Sequence, residues 1–507
     1  MSPPPLLEMR GITKVFGANR ANDGVDLTVW PGDVLGLLGE NGAGKTTLMN
    51  VLFGTYHADA GEIRIAGQPV RIRNSADALA HGIGMVHQHF HLAARLSVLD
   101  NLLIGQPGRG GLLDRKTALK RLDEIRADFG LWLEPSRLVS GLSIGEQQRL
   151  EIIKALYRGA RLLILDEPTA VLTPTEAEGL FTAMRAMSAE GFGIVFISHK
   201  LAEVRAVATR CTILRHGRVT GAIETPAEAT NSEIARLMCG REIVPPERTT
   251  VTVGAPVLEL ARVSTPAKGG AGLADVSLTV PGGEILGIAG VSGNGQRALA
   301  DVLAGMLAPT SGAIRIAGQP MSRWTPEEAQ ALGLGRIPED RMKTGLVTAL
   351  SVADNMILPR LAEPPFSRGG LIDRKAIRAF AEERIKAFDI RCPGPDARAG
   401  MLSGGNLQKI LLARELAHDP AILLAAQPTR GLDIGATRFV HDSFLDMRAA
   451  GRGILLISED LEELMTLCDR IAVMYDGRIV GEMATEDATV ERLGLLMAGA
   501  GMTAGRN

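Results

Sequence analysis

Apolar residues in this chain come in short runs. Val34–Leu38 carries one of them into a glycine-rich stretch, after which Lys45–Leu52 shows helical spacing. Leu162–Leu165 and Ile194–Ile197 are apolar at every position. A strand with one wet face alternates apolar and polar residues, so an unbroken run predicts a strand buried on both faces, as in a parallel sheet. Such runs alternate with helical patterns, which predicts an α/β fold. The longest runs, among them Leu162–Leu165 and Ile422–Ala426, fall far below the roughly 18 residues of a membrane-spanning helix.

The pattern occurs twice. Gly61-Glu-Ile-Arg-Ile-Ala-Gly-Gln-Pro69 returns as Gly312-Ala-Ile-Arg-Ile-Ala-Gly-Gln-Pro320, an offset of 251. Leu142-Ser143 returns as Leu402-Ser403, and Ile197-Ser198 as Ile457-Ser458, at an offset of 260. The second copy therefore holds nine extra residues between about 340 and 402. The intervening Arg241–Thr250 has paired prolines and no apolar period, and it reads as a linker. The expected organisation is a first domain at 1–244, a linker at 245–256 and a second domain at 257–507.

Composition narrows this further. At 507 residues the chain is long enough for two substantial cores. Fifty-five basic residues against 57 acidic ones give a net charge of −2, so nothing favours a nucleic-acid partner. The 59 glycines point to many tight turns or close backbone approach to a ligand. Cys211, Cys239, Cys392 and Cys468 are far apart, which fits a reducing compartment better than a disulfide or zinc framework. Met1-Ser-Pro-Pro-Pro has no basic-then-apolar character, so no secretory leader is expected.

One stretch carries explicit chemistry. Gly39-Glu40-Asn41-Gly42-Ala43-Gly44-Lys45-Thr46, with Thr47 next, has the G-x-x-x-x-G-K-[ST] spacing between a strand and a helix. Glycines let backbone N–H groups curl around phosphate, and the helix N-terminus adds positive potential. Lys45 supplies a charge to the β and γ phosphates, and the Thr46 hydroxyl can ligate Mg²⁺. Downstream, Asp166 ends a buried strand, where a carboxylate is costly unless paired or metal-linked. Glu167 beside it can deprotonate an attacking water.

Leu402-Ser403-Gly404-Gly405-Asn406-Leu407-Gln408 resembles the LSGGQ signature of the ATP-binding cassette (ABC) family, and Leu142-Ser143-Ile144-Gly145-Glu146-Gln147 occupies the same place in the first copy. The resemblance implies two tandem P-loop NTPase domains. Each would have a RecA-like core, an antiparallel β subdomain and a helical subdomain carrying the signature. It makes ATP and Mg²⁺ the expected ligands. It casts Phe16 as the aromatic that stacks on adenine, Gln88 as the Q-loop residue touching Mg²⁺, Ala170–Pro174 as the D-loop and His199 as the switch histidine. Lys45, Glu167 and His199 become the catalytic set, and Thr46, Gln88 and Asp166 the metal set. Ser403, Gly404, Gly405 and Asn406 join the nucleotide-binding set, because cassettes of this family pair head to tail with each ATP between one P-loop and the opposite signature.

The two copies are chemically unequal. In the second, Gln296 and Arg297 stand where Lys45 and Thr46 stand in the first, and Ala426-Gln427 replaces Asp166-Glu167. Glu339 replaces Gln88, Glu459 replaces His199, and no aromatic near Ser264–Gly272 matches Phe16. The first copy's signature is altered by Ile144 and by Glu146, which is expected to bring negative charge toward phosphate. One hydrolytic and one degenerate site are expected. A double cassette of this kind resembles the ATPase of nucleoside and simple-sugar importers. Met85–Phe90, Gly335–Arg341 and Ala425–Asp433 look most like the nucleoside branch, with a monosaccharide importer as the alternative. The implied partners are two permease subunits, docking near His89–Gly105 and Asp340–Pro359, and an extracytoplasmic binding protein. The chain would lie at the cytoplasmic face of the membrane, touching it through the permeases alone. Soluble ribosome-associated double cassettes share the architecture. They usually keep both ATP sites and a long charged linker, unlike this chain.

Overall fold

The computed structural model describes residues 4–17, 19–40, 42–87, 91–106, 113–169, 172, 174–198, 200–239, 248–267 and 270–499. Main-chain contacts divide the chain into two compact units, Met1–Val244 and Pro245–Asn507.

In the first unit the strands are β1 (Leu7–Phe16), β2 (Asn19–Val29), β3 (Val34–Leu38), β4 (Ala60–Ile65), β5 (Gln68–Val70), β6 (Ile83–Val86), β7 (Leu162–Asp166), β8 (Gly193–Ile197), β9 (Arg210–Arg215) and β10 (Arg218–Ile223). The helices are α1 (Lys45–Leu52), α2 (Ser75–Ala80), α3 (Val98–Leu103), α4 (Arg115–Phe129), α5 (Ile144–Tyr157), α6 (Pro174–Ala189), α7 (Leu201–Val207) and α8 (Asn231–Cys239). A six-stranded sheet runs in the order β10-β9-β3-β8-β7-β6, and a four-stranded antiparallel sheet in the order β2-β1-β4-β5. All neighbours in the larger sheet are parallel except β9 and β10. The unbroken apolar runs are its central strands: every residue of β3 and β8 is buried. Helices α3, α4 and α5 form the helical part, with Leu99, Leu103 and Ala118 packed together.

The second unit repeats this plan in register. Leu7 pairs with Val29 and Ile65 in the first unit, and Leu258 pairs with Val280 and Ile316 in the second. Val34 pairs with Ile194, and Ile285 with Ile454. The nine extra residues fall outside the two main sheets, where register and burial tolerate no insertion. Three belong to a turn around Arg341–Gly345, ahead of a shared staple in which a buried asparagine (Asn101 or Asn355) holds the chain eight residues earlier. Most of the others lie in the stretch that carries the small hairpin Ser367–Arg368 with Leu371–Ile372.

The described part of the expected linker is fastened to the second unit. Gly254 donates to the Gly282 carbonyl at 2.8 Å, and Arg448 donates to the Thr249 carbonyl at 2.7 Å while also pairing with Asp469 at 2.6 Å.

Candidate nucleotide site

Strand β3 lies between β8 and β9, so its C-terminal end opens a crevice where an α/β sheet binds ligands. The chain leaves β3 in a glycine turn. Gly42 and Gly44 adopt φ of +82° and +103°, a region costly for other residues. Gly44 has a second constraint, since a Cβ there would lie 2.3 Å from the Ala21 carbonyl oxygen. Helix α1 then begins without a side-chain cap, leaving its first N–H groups for another acceptor. Lys45 is 7% exposed and bends over the turn, its Nζ donating to the carbonyls of Gly39 at 2.7 Å and Glu40 at 3.0 Å. Burial lowers its pKa, while the charges of Glu167, Asp166 and Glu40 oppose that.

Asp166 ends β7. Burial first, and then the neighbouring Glu167 charge, push its pKa up to about 6, with Lys45 and a hydrogen bond from the Thr46 side chain opposing. A hydroxyl and a carboxylate held together, with a second carboxylate beside them, form an all-oxygen set that suits Mg²⁺. Glu167 has φ +47°, a strained value for a non-glycine residue, and its N–H donates to the Ile197 carbonyl at 3.0 Å.

Phe16 closes the other side. It is 41% exposed and meets Tyr56 edge to face, with ring centres 5.2 Å apart. Lys14 Nζ lies 5.4 Å from its ring centre. A cavity of about 230 Å³ joins Phe16, Gly42, Gly44, Lys45, Thr46 and Thr47 to Asp166 and Glu167. Gly39 and Glu40 take part through the carbonyls that hold Lys45, and Ala43 is buried beneath the turn. Asn41, Gln88 and His199 lie outside the described residues. The sequence reading missed Tyr56, and it missed Asn22, which is fully buried and donates to the Gly44 carbonyl at 3.1 Å. Neither belongs to a motif; an aromatic shortly after the P-loop helix was the available signal.

The two signatures differ in how their serines are used. Ser143 caps α5 by accepting from the Glu146 N–H at 3.1 Å, and Glu146 returns to the Ser143 N–H at 2.7 Å and pairs with Arg137 at 2.5 Å. The charge expected to oppose phosphate is thus folded back and paired within its own unit. Ser403 makes no cap for the helix Gly404–Leu416, and its oxygen accepts from Asn406 Nδ2 at 2.9 Å, so the Ser403 proton remains to be donated. A Cβ on Gly404 would meet nothing closer than 3.8 Å, whereas one on Gly405 would lie 2.9 Å from Ala436 Cβ. Gly405 is therefore demanded by packing within its own unit.

The second unit keeps the shape of the first site without its chemistry. Gly293 and Gly295 have φ of +93° and +110°. Gln427 has the same φ as Glu167, +47°, and its N–H donates to the Ile457 carbonyl at 2.8 Å. Gln296 replaces the lysine and donates to the Val291 carbonyl at 3.0 Å. The Arg297 side chain is 80% exposed and replaces the threonine hydroxyl. A cavity of about 490 Å³ remains, with Ala426 where Asp166 would hold a metal. The strained turn is a property of the fold, and at this position the two units differ only in the side chain, a carboxylate in Glu167 and an amide in Gln427. Gln427→Ala is expected to change ATP turnover less than about twofold in a steady-state phosphate-release assay, because an amide cannot take a proton from water.

Residues 22–170 and 273–430 match the ABC transporter family. The chain belongs to that family. The resemblance seen in the sequence is confirmed, as is the α/β fold with two cassettes, and the protein is an ATP-binding ATPase. It is 44% identical to a glucose import ATP-binding protein of Haloferax volcanii, over 99% of this chain and 97% of that protein. It is 41% identical to a nucleoside import ATP-binding protein of Lactococcus lactis, over 98% and 99%. A crystal structure of an archaeal ribosome recycling factor, bound to a ribosomal stalk protein, shares the fold with a TM-score of 0.61 over 94% of this chain and 90% of that one. At 20% identity that likeness is one of fold. Among the described residues of this ABC protein, no helix is long and apolar enough to cross a membrane.

Proposed function

We propose that this ABC ATPase energises the import of a nucleoside, working from the cytoplasmic face of a membrane with two permease subunits and an extracytoplasmic binding protein. The observation that carries the reading is the unequal pair of cassettes on a chain that matches import ATP-binding proteins over nearly its full length. The nucleoside assignment rests on Met85–Phe90, Gly335–Arg341 and Ala425–Asp433, and on the 41% identity to the nucleoside import protein. The 44% identity to a glucose import protein keeps a monosaccharide as the second reading. Binding assays on the partner binding protein decide between them: submicromolar nucleoside affinity with no sugar binding supports the first, and the reverse supports the second.

In this reading the first cassette binds and hydrolyses ATP. Phe16 stacks on the base. The turn Gly39–Gly44 and the first N–H groups of α1 accept the phosphates, with Glu40, Asn41, Ala43 and Thr47 completing the cradle. Lys45 exchanges the carbonyls of Gly39 and Glu40 for β and γ phosphate oxygens. Thr46 and Asp166, with Gln88, would hold Mg²⁺, which when bound neutralises charge on the transferring phosphoryl group. Glu167 takes a proton from the attacking water, whose oxygen forms a bond to the γ phosphorus as the bond to ADP breaks. His199 orients that γ phosphate.

Hydrolysis also needs the intact signature Ser403–Asn406. Ser403→Ala is expected to lower turnover by about tenfold or more, as for loss of one preorganised donor to developing phosphate charge. Ser143→Ala should cost only helix stability of about 1 kcal/mol. Malachite-green phosphate release and thermal melting on both variants check this. Equal turnover losses in the two would reject a special role for the second signature. Gly405→Asp is a poor test, because it clashes with Ala436.

A further inference from the structure

Behind the turn that presents Glu167 lies a carboxylate outside every motif read from the sequence. Glu203 is on α7, and its side chain is 13% exposed. Thr169 Oγ1 donates to its Oε2 at 2.5 Å. Ser198 Oγ donates to the same oxygen at 3.1 Å, and itself accepts from the Lys200 N–H at 3.0 Å. The Lys200 ammonium lies 3.4 Å from the other carboxylate oxygen. Thr169 and Ser198 are 4% and 3% exposed. One oxygen therefore joins the chain two residues past Glu167 to the residue just before His199. Hydrogen bonds to an ionised acceptor are short and strong, and a buried carboxylate left without them is costly.

The second cassette joins the corresponding segments, there through both oxygens of one carboxylate. Thr429 Oγ1 donates to Glu463 Oε1 at 2.7 Å, Ser458 Oγ donates to Oε2 at 2.6 Å, and His441 Nε2 lies 3.0 Å from Oε1. There the joined segments carry Gln427 and Glu459, which have no part in hydrolysis. His441 occupies the position of Phe181 in the first cassette, so a polar ring that reaches Glu463 stands where the first cassette has a buried apolar one. Duplication has thus placed a carboxylate between corresponding segments of both cassettes, one next to the proposed reacting groups and one not.

We infer that Glu203 is a positioning residue for ATP hydrolysis: through Thr169 and Ser198 it sets the Glu167 turn in register with Ser198, the residue that precedes His199 in the chain. This rests on the reading of Glu167 and His199 as the hydrolytic groups. A carboxylate that served folding alone would act equally in both cassettes.

The test compares matched variants of the full chain by kcat, KM for MgATP and thermal midpoint. Glu203→Ala should lower kcat about tenfold or more with KM within about twofold, and Glu203→Gln, which keeps an acceptor oxygen, should recover most of it. Glu463→Ala should lower the thermal midpoint at least as much yet leave kcat within about twofold. If the alanine variants do not fold, Thr169→Val against Thr429→Val asks the same question, since each removes one donor at constant volume. Equal kcat losses in the two cassettes, or wild-type kcat in Glu203→Ala or Thr169→Val, overturn the inference. Glu167→Gln is run alongside. If it keeps wild-type turnover, the assignment of the base has failed and the inference falls with it. If it abolishes turnover while the Glu203 or Thr169 variants do not, the inference alone has failed.

Discussion

Glu167→Gln is expected to lower ATP turnover by about 10²–10⁴-fold while leaving ATP affinity within a few-fold, because general-base catalysis supplies a factor of that size and the amide keeps the carboxylate's shape. The substitution should be silent for folding. Gln427 shows that glutamine is accommodated in the same turn at the same φ of +47°, with the same N–H bond to the neighbouring strand. Single-turnover phosphate release, paired with titration of a fluorescent ATP analogue, separates chemistry from binding. Turnover within about tenfold of wild type would show that another group takes the proton. The reciprocal change, Gln427→Glu, should create no second active site. The second cassette also lacks the lysine, the threonine hydroxyl and the metal carboxylate, which Gln296, Arg297 and Ala426 replace. A base without phosphate positioning has nothing to activate.

Asp166→Asn should abolish Mg²⁺-dependent hydrolysis and, in the nucleotide-free protein, raise stability at neutral pH. The two effects have one cause. Burial, reinforced by the Glu167 charge, raises the Asp166 pKa from 3.8 to about 6. A carboxyl whose folded pKa exceeds its unfolded pKa favours the fold when protonated. Its contribution is therefore complete below pH 3.8 and is lost as pH rises through about 6. With the partial exposure of the group taken into account, the loss is on the order of 1–3 kcal/mol. Asparagine removes the buried charge, so the thermal midpoint at pH 7.5 should rise by a few degrees, and that gain should shrink as the pH approaches 5. In the wild type a proton would compete with Mg²⁺ for this carboxylate, so the Mg²⁺ concentration needed for half-maximal turnover should rise as pH falls below about 6. A destabilised Asp166→Asn protein at pH 7.5 would mean that Thr46 and Lys45 stabilise the charged carboxylate by more than its burial costs. In the proposed mechanism a divalent cation would offset this buried charge, a usual origin of stability–activity trade-offs.

The sequence by itself determined a good deal of this molecule. The duplication, the unbroken apolar runs that became β3, β7 and β8, the phosphate turn and the loss of chemistry in the second copy are all local properties of residue type and spacing. An unbroken apolar run excludes a wet face whatever surrounds it, and a lysine replaced by glutamine loses its charge in any fold. The tertiary structure decided what depends on the order of strands across the sheet. β8 lies between β3 and β7, and that order brings the ends of three distant segments to one crevice. The tie from Glu203 to Thr169 spans 34 residues and has no periodicity to betray it. Glu146 was legible as a negative charge in a signature, yet its folding back onto Ser143 and Arg137 depended on a cap and a neighbour nine residues away. The matching backbone of Glu167 and Gln427 was equally hidden, because φ is set by the strand end and the bond to the next strand, not by the side chain. Chemistry that resides in single residues could be read along the chain; chemistry that resides in hydrogen bonds between segments required the fold.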